Sequence, residues 1–222
     1  MARPSWFRLG EATGWNRYPT ASVLRAASPI RSLPTLHRAS VASLFDATDR
    51  LCGALDVFVA NAGIGRFESA EDVTEESFEE IAATNLTAVI FGVQTAAKRM
   101  AAAKRPGSII AVASIAGLRV PPHLFSYAVA KAGVMQAMRI MALHFGPRGI
   151  RVNSIAPGYI ATDMTHDFIA SERGQALLAR LPLRHFGETS DLDGPFLLLA
   201  SDASQLMTGT TIVVDSGNML VG

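Results

Sequence analysis

Four short apolar runs divide this chain, and stretches with helical periodicity separate them. The runs have the length of strands and are rich in valine, isoleucine and alanine; they cover residues 55–60, 108–114, 150–155 and 210–214. Runs that are apolar at nearly every position suit strands buried on both faces, which is typical of parallel sheets. Strands that alternate with helices form βαβ units. The sequence therefore predicts an α/β fold, a doubly wound parallel sheet with helices on both faces.

Four helical segments lie between and beside these runs. They cover residues 41–52, 74–103, 125–145 and 191–201. We predict that Gly53 ends the first helix and that Thr74, followed by two acidic residues, is the N-cap of the second. Residues 159–183 contain helical fragments that Gly174 and Pro182 interrupt. This segment is too long for a simple connection, so we predict a lid there.

The charge of the chain changes sign near residue 40. The whole chain has 20 Lys and Arg against 19 Asp and Glu, a net charge of +1. The first 40 residues contain six Arg and one acid, Glu11, which makes them +5, and the remainder is −4. We therefore expect two parts, an atypical basic leader at residues 1–39 and a folded domain at residues 40–222. The leader also has the composition of a transit peptide.

Composition excludes several classes of partner. A net charge near zero gives no overall attraction to nucleic acid, and no run reaches the roughly 18 apolar residues that a membrane span requires. Cys52 is the only cysteine, so no intrachain disulfide forms and a cytoplasmic location fits. The five histidines are scattered without the spacing of metal ligands, so we expect no bound metal.

Three polar residues are predicted to converge at one end of the sheet. Tyr127 and Lys131 are four positions apart in a helical pattern, so they project from one face of that helix. An amphipathic helix with a solvent-exposed lysine has the same spacing. Ser114, however, ends a predicted strand thirteen residues before Tyr127, and open α/β sheets bind ligands beyond the carboxyl ends of their strands. The three residues are therefore a candidate catalytic site.

The trio predicts a specific acid–base chemistry. A phenol has a pKa near 10 and a nearby ammonium favours the phenolate, so we expect Lys131 to lower the pKa of Tyr127. Tyr127 is then the general acid or base, and the Ser114 hydroxyl positions a substrate oxygen. Proton transfer at an alcohol oxygen is half of a carbonyl reduction or an alcohol oxidation. No side chain accepts the hydride, so a nicotinamide cofactor, NAD or NADP, is required.

A series of motifs resembles the short-chain dehydrogenases/reductases in type, order and spacing. The motifs are Asn61-Ala62-Gly63, Asn85, Ser114, Tyr127-Ala128-Val129-Ala130-Lys131 and Pro157-Gly158-Tyr159-Ile160-Ala161-Thr162. The resemblance covers residues 40–222. It implies a Rossmann-like fold, a homodimer or homotetramer, and an NAD(P)-dependent oxidoreductase that interconverts a small-molecule secondary alcohol and a ketone. Within the family, the chain is similar to 3-oxoacyl carrier-protein reductases and sugar-acid dehydrogenases.

The resemblance also implies a role for each motif. Asn85 joins Ser114, Tyr127 and Lys131 in the catalytic set, through a water that its backbone binds. Tyr127 and Lys131 contact the cofactor as well. The other implied cofactor contacts come from two segments: Asn61, Ala62 and Gly63 beside the adenosine half, and Pro157, Gly158, Ile160 and Thr162 beside the nicotinamide.

One motif of the family is absent from the sequence. The family's first strand is followed by a Thr-Gly-x-x-x-Gly-x-Gly turn, whose backbone approaches the cofactor pyrophosphate. Thr13-Gly14 begins the pattern, but Tyr18 and Thr20 occupy the later glycine positions. We therefore expect a sheet without its first strands, and a leader that is disordered, translated in an altered frame or read from a misassigned start. The alternative function is a catalytically silent relative, deficient in cofactor binding, that acts as an oligomer partner or an inactive fragment.

Overall fold

The computed structural model of the chain describes residue 43, residues 45–50 and residues 53–221. The predictions for the leader at residues 1–39, and part of the helix predicted at 41–52, lie outside these described residues. Residues 45–50 are helical. Gly53 has a φ of +76° and donates its N–H to the Asp49 carbonyl oxygen at 3.1 Å, which is the geometry of a glycine that ends a helix.

The described residues form one parallel sheet of four strands in the order β1-β2-β3-β4. The strands are β1, Val57–Ala60; β2, Gly107–Val112; β3, Ile150–Pro157; and β4, Thr211–Val214. In register, Ile110 of β2 lies between Val59 of β1 and Asn153 of β3. Because every pair is parallel, the carboxyl ends of all four strands lie at the same edge. The predicted parallel sheet is confirmed.

Helices follow the predicted segments closely. Those in the described part of the chain are α1, Glu75–Ala82; α2, Ala88–Ala102; α3, Phe125–Phe145; α4, His166–Ala170; α5, Glu172–Leu178; and α6, Asp193–Ala200. Thr74 caps α1 as predicted, since its side chain accepts the Ser77 N–H at 3.2 Å. A π-helical segment, Ala83–Thr87, joins α1 to α2. The helix predicted at 74–103 is therefore continuous but changes its hydrogen-bond pattern in the middle.

Apolar side chains cover both faces of the sheet. On one face, side chains of β2 and β3 pack against α2 and α3; the buried residues include Val93, Met100, Ile109, Val134, Met138 and Val152. On the other face, Ile110 and Ile155 pack against Leu199 of α6. Ile109 and Ile110 face opposite sides because side chains alternate along a strand. The predicted placement of helices on both faces is confirmed.

The segment at 159–183 contains α4 and α5, and its break is not where we predicted it. Gly174 lies inside α5, whereas Ser171 separates the two helices and accepts the Gly174 N–H at 3.1 Å. A Cβ at Gly174 would lie 2.1 Å from the Phe168 carbonyl oxygen. Gly174 therefore permits close packing of α4 on α5 and does not interrupt the helix.

None of the helices in the described residues is long and apolar enough to cross a membrane. None of the His, Cys, Asp and Glu side chains of these residues form a group of three or more that could hold a metal ion.

Candidate active site

Ser114 lies just beyond the carboxyl end of β2, where the chain enters a 3-10 turn, Ile115–Gly117. Its backbone is extended, and its Oγ accepts the Ala116 N–H at 3.1 Å. This bond caps the turn and leaves the hydroxyl proton available as a donor. The Ser114 side chain also lies close enough to the Tyr127 hydroxyl to lower the pKa of that group. The strand end and the start of α3 therefore meet at the two hydroxyl groups.

Tyr127 and Lys131 lie one turn apart on α3, as the spacing predicted. Tyr127 is half-buried, and the Lys131 Nζ lies 5.5 Å from the centroid of its ring. We expected Lys131 to lower the pKa of Tyr127. Instead, burial raises the pKa of Tyr127, and the nearby Ser114 side chain only partly opposes that effect. The phenol is therefore protonated at neutral pH and is available as a proton donor.

Lys131 is a buried amine, with 3% of its surface exposed. Its Nζ donates a hydrogen bond to the Val112 carbonyl oxygen, the last residue of β2, at 2.8 Å. No carboxylate in the described ranges forms an ion pair with it. Burial lowers the pKa of Lys131 to about 8. The amine can therefore gain and lose a proton near neutral pH.

Asn85 lies in the π-helical segment and is completely buried. Its side chain holds the backbone of Ile64 from both sides: the Oδ1 accepts the Ile64 N–H at 2.8 Å, and the Nδ2 donates to the Ile64 carbonyl oxygen at 2.7 Å. Gly63 is packed close by, since a Cβ there would lie 3.2 Å from the Asn85 Oδ1 and 3.5 Å from the Lys131 Nζ. Asn85 therefore brings the turn after β1 against Lys131. Asn61 and Ala62, in the same turn, are exposed.

The segment that starts at Pro157 lies at the end of the next strand, β3. Gly158 donates its N–H to the Val214 carbonyl oxygen at 2.9 Å, and a Cβ on it would lie 2.8 Å from the Asp215 Cα. Ile160 is buried and bridges to Gly187. Thr162 is exposed and donates its N–H to the Thr165 Oγ1 at 3.1 Å. This segment therefore begins at the same end of the sheet as the trio, and it forms hydrogen bonds to β4 and within its own loop.

Sequence reasoning missed Gly117, which closes the turn after Ser114. A Cβ at Gly117 would lie 2.6 Å from the Ala132 N and 2.7 Å from the Lys131 carbonyl carbon. The turn therefore touches the backbone of α3 at the residue that carries the buried amine. A glycine three positions after a polar strand end was the only sequence signal for this close approach.

Comparisons with known proteins agree with this geometry. The family model described as enoyl-(acyl carrier protein) reductase matches residues 32–218. L-rhamnose 1-dehydrogenase (NAD(P)(+)) of Azotobacter vinelandii is 41% identical over 166 residues, which is 74% of this chain and 65% of that protein. The 2-dehydro-3-deoxy-D-gluconate 5-dehydrogenase of Escherichia coli is 40% identical over 182 residues, 80% of this chain and 70% of that protein. Gluconate 5-dehydrogenase of Burkholderia cenocepacia, solved in complex with NADP and tartrate, superimposes with a TM-score of 0.81 at 28% identity, over 86% of this chain and 74% of that chain.

The parallel sheet, with a serine, a tyrosine and a lysine gathered beyond the end of one central strand, defines a Rossmann-type α/β protein. The chain belongs to the short-chain dehydrogenase/reductase family, as the family match and the relatives show. It spans 65% of the length of the Azotobacter relative. The resemblance inferred from the motifs is confirmed.

Gly117→Ala is expected to destabilise the fold, because the added methyl group overlaps the α3 backbone and neither element can move without disturbing the core. We expect a loss of about 1–3 kcal/mol in the free energy of unfolding, measured by denaturant titration. Gly194→Ala is the matched control, since Gly194 is exposed in α6 and a Cβ there meets nothing within 4 Å. An unchanged unfolding midpoint for Gly117→Ala would contradict the close contact.

Lys131→Met is expected to stabilise the fold at neutral pH, and less so as the pH rises. The pKa of Lys131 is about 8 in the folded state against 10.5 ordinarily, so between these values the unfolded chain binds more protons and the native chain gains stability with pH. The free energy of unfolding of the variant should exceed that of the native chain by at most about 3 kcal/mol at pH 7, and this difference should begin to shrink above pH 8.

Denaturant unfolding of both chains from pH 7 to pH 9.5 measures this difference. Lys98→Met, at an exposed position of α2, is the control for loss of an amine. If the free energies of unfolding of Lys131→Met and the native chain differ by a constant amount across this pH range, the amine keeps its ordinary pKa.

Proposed function

We propose that the chain is an NAD(P)-dependent oxidoreductase that interconverts a secondary alcohol and a ketone. The convergence of Ser114, Tyr127 and Lys131 beyond β2 carries this proposal, because a half-buried phenol between a serine hydroxyl and a buried amine suits proton exchange with a substrate oxygen. The relatives' names, which mention L-rhamnose, 2-dehydro-3-deoxy-D-gluconate and gluconate, support a sugar or sugar acid as the substrate class.

The residues present fit the nicotinamide half of NAD or NADP. The buried Lys131 Nζ uses one of its three N–H donors on Val112 within the described residues, which leaves donors for the ribose hydroxyls. Gly63 keeps the space beside that amine free of a side chain. We propose that Pro157, Gly158, Ile160 and Thr162 line the nicotinamide, and that Asn61, Ala62 and Gly63 lie beside the adenosine half. The bound cofactor supplies or accepts the hydride.

We assign each site residue one role. In the reductive direction, Tyr127 donates its phenolic proton to the substrate carbonyl oxygen, for which its protonated state at neutral pH suits it. Ser114 donates a hydrogen bond to the same oxygen and holds it near the phenol. Lys131, with a pKa of about 8, returns the proton to Tyr127, and water held by the Asn85 backbone resupplies Lys131. Each step is reversed when an alcohol is oxidised.

The sequence lacks the motif that would contact the pyrophosphate of the cofactor, since no glycine-rich turn follows Thr13-Gly14. We propose that residues 1–39 are a basic leader and that residues 40–222 are the catalytic domain. A chain that lacks this turn loses backbone donors to the phosphates. The affinity for the cofactor therefore distinguishes an active enzyme from a catalytically silent relative, because both would have the same acid–base residues.

We propose a homodimer or homotetramer in the cytoplasm. Exposed apolar side chains on α3 support association, among them Val129, Ile140 and Leu143, which are 45%, 60% and 83% exposed. A single cysteine in the sequence supports a reducing compartment.

Tyr127→Phe should abolish turnover while cofactor binding is retained, because the phenylalanine ring keeps the packing and loses only the transferable proton. We expect kcat to fall by about a hundredfold or more. Turnover is followed through NAD(P)H absorbance with sugar and sugar-acid substrates, and binding through NADH and NADPH fluorescence. Thr95→Val is the matched hydroxyl deletion, since Thr95 lies in α2 and bonds to the Phe91 carbonyl oxygen of the same helix.

The outcomes separate the alternatives. Turnover by Tyr127→Phe at the native rate would refute the role of Tyr127. Absence of NADH and NADPH binding to the native chain up to about millimolar concentration, which corresponds to about −4 kcal/mol, would favour the catalytically silent relative.

A further inference from the structure

Glu68 is a buried carboxylate that the proposed site does not use. It is 9% exposed and lies five residues beyond Gly63. Its Oε2 accepts the Ser77 hydroxyl proton at 2.7 Å. Within the described residues, its Oε1 and the Ser126 Oγ each lack a partner in full hydrogen-bond geometry. Burying an incompletely paired carboxylate costs free energy of folding, so another contact of Glu68 is expected to offset this cost.

The backbone of Glu68 is bonded to the start of α3. Its N–H donates to the His123 carbonyl oxygen at 3.0 Å, and its carbonyl oxygen accepts the Phe125 N–H at 3.3 Å. These bonds form a parallel bridge between Glu68 and Leu124. The segment after β1 is therefore fixed to the residues that open the catalytic helix.

Helix α3 has no side-chain cap of its own. Leu124 occupies the N-cap position and its side chain cannot accept a hydrogen bond, although the helix is 21 residues long. The Phe125 N–H bonds to the Glu68 backbone instead, and the bridge between Glu68 and Leu124 brings the Glu68 carboxylate near Ser126. Contact with the Ser126 side chain is the main influence that lowers the pKa of Glu68, against the effect of burial. The carboxylate is thus charged at neutral pH, and a negative charge is favourable at a helix N-terminus.

We propose that Glu68 is a positioning residue that caps α3 from outside the helix and holds Tyr127 in register with Ser114. Ser126, which lies near the carboxylate, directly precedes Tyr127. Through Ser77, the same carboxylate also joins the first turn of α1, which leads into Asn85. One acid therefore fixes the starts of both helices that carry the proposed site. The effect on turnover rests on the proposed function, whereas the effect on helix position does not.

Glu68→Ala in the cofactor-free chain tests the position of the helix. We expect amide hydrogen exchange at Phe125 and Ser126 to accelerate about tenfold, because a lost cap loosens the first turn. Since loosening hydrates the phenol, the pKa of Tyr127, followed by NMR with ¹³C-labelled tyrosine, should fall toward its ordinary value. Glu80→Ala is the matched control. It removes an exposed carboxylate from α1 that pairs with Arg66 at 2.5 Å, and it should change neither readout.

Turnover gives a second, separable readout. Glu68→Ala should lower kcat about tenfold and leave the substrate KM within about twofold. Glu68→Gln should recover part of kcat because its amide oxygen can still accept the Ser77 hydroxyl proton. If the native chain does not turn over, the proposed function fails and amide exchange still decides the role of Glu68.

The proposal would be overturned if Glu68→Ala showed the same amide exchange rates at Phe125 and Ser126 as the native chain and the same pKa of Tyr127. If Glu68→Ala does not fold, Glu68→Gln replaces it, with an expected acceleration of about threefold at Ser126. No acceleration in that variant overturns the proposal equally.

Discussion

The contact of α3 with the carboxyl end of β2 is the constraint on which the proposed site depends. Gly117 touches the α3 backbone at Lys131, and the Lys131 side chain returns to the Val112 carbonyl oxygen at the end of β2. The same lysine is thus held through its main chain and its side chain by one short segment. Ser114 lies within that segment, so its hydroxyl reaches Tyr127 one turn before Lys131. A change in the helix–strand distance would move all three groups at once.

Burial of Lys131 without a carboxylate partner gives the site its electrostatic character. A paired lysine would stay charged at neutral pH, but a pKa of about 8 leaves the amine able to exchange protons there. The same burial raises the pKa of Tyr127 and keeps the phenol protonated. The two shifts move the pKa values in opposite directions, so the pKa of Tyr127 lies above that of Lys131 and the gap between them is wider than in water. Glu68 lies at the start of α3, where its negative charge is favourable to the helix, and among the described residues it forms no ion pair with the Lys131 amine.

The sequence predicted those features whose signals are local. Helix α3 runs from Phe125 to Phe145 as expected, because a long apolar pattern precedes Gly146-Pro147. The four strands were predictable because short, continuously apolar runs are typical of strands in a parallel sheet. The π-helical segment was not predictable, since it accompanies a bond from Asn85 to Ile64, 21 residues away. The predicted direction of the Tyr127 pKa shift was wrong for a similar reason. The spacing shows that an amine is near, but only the packing shows how far water is removed from the phenol and the amine.

Among the described residues, the contacts that hold the proposed acid–base site come from residues 63–132. Ile64, Glu68, Val112 and Gly117 all lie within that range. Cofactor affinity has a different origin. A phosphate turn contributes charge-assisted hydrogen bonds of about 1.5–3 kcal/mol each, so losing two of them weakens binding by roughly a hundredfold to ten-thousandfold. Such a loss leaves the positions of Ser114, Tyr127 and Lys131 intact. A chain altered in its first 40 residues would therefore bind its cofactor poorly and still present a formed acid–base site to any cofactor that reached it.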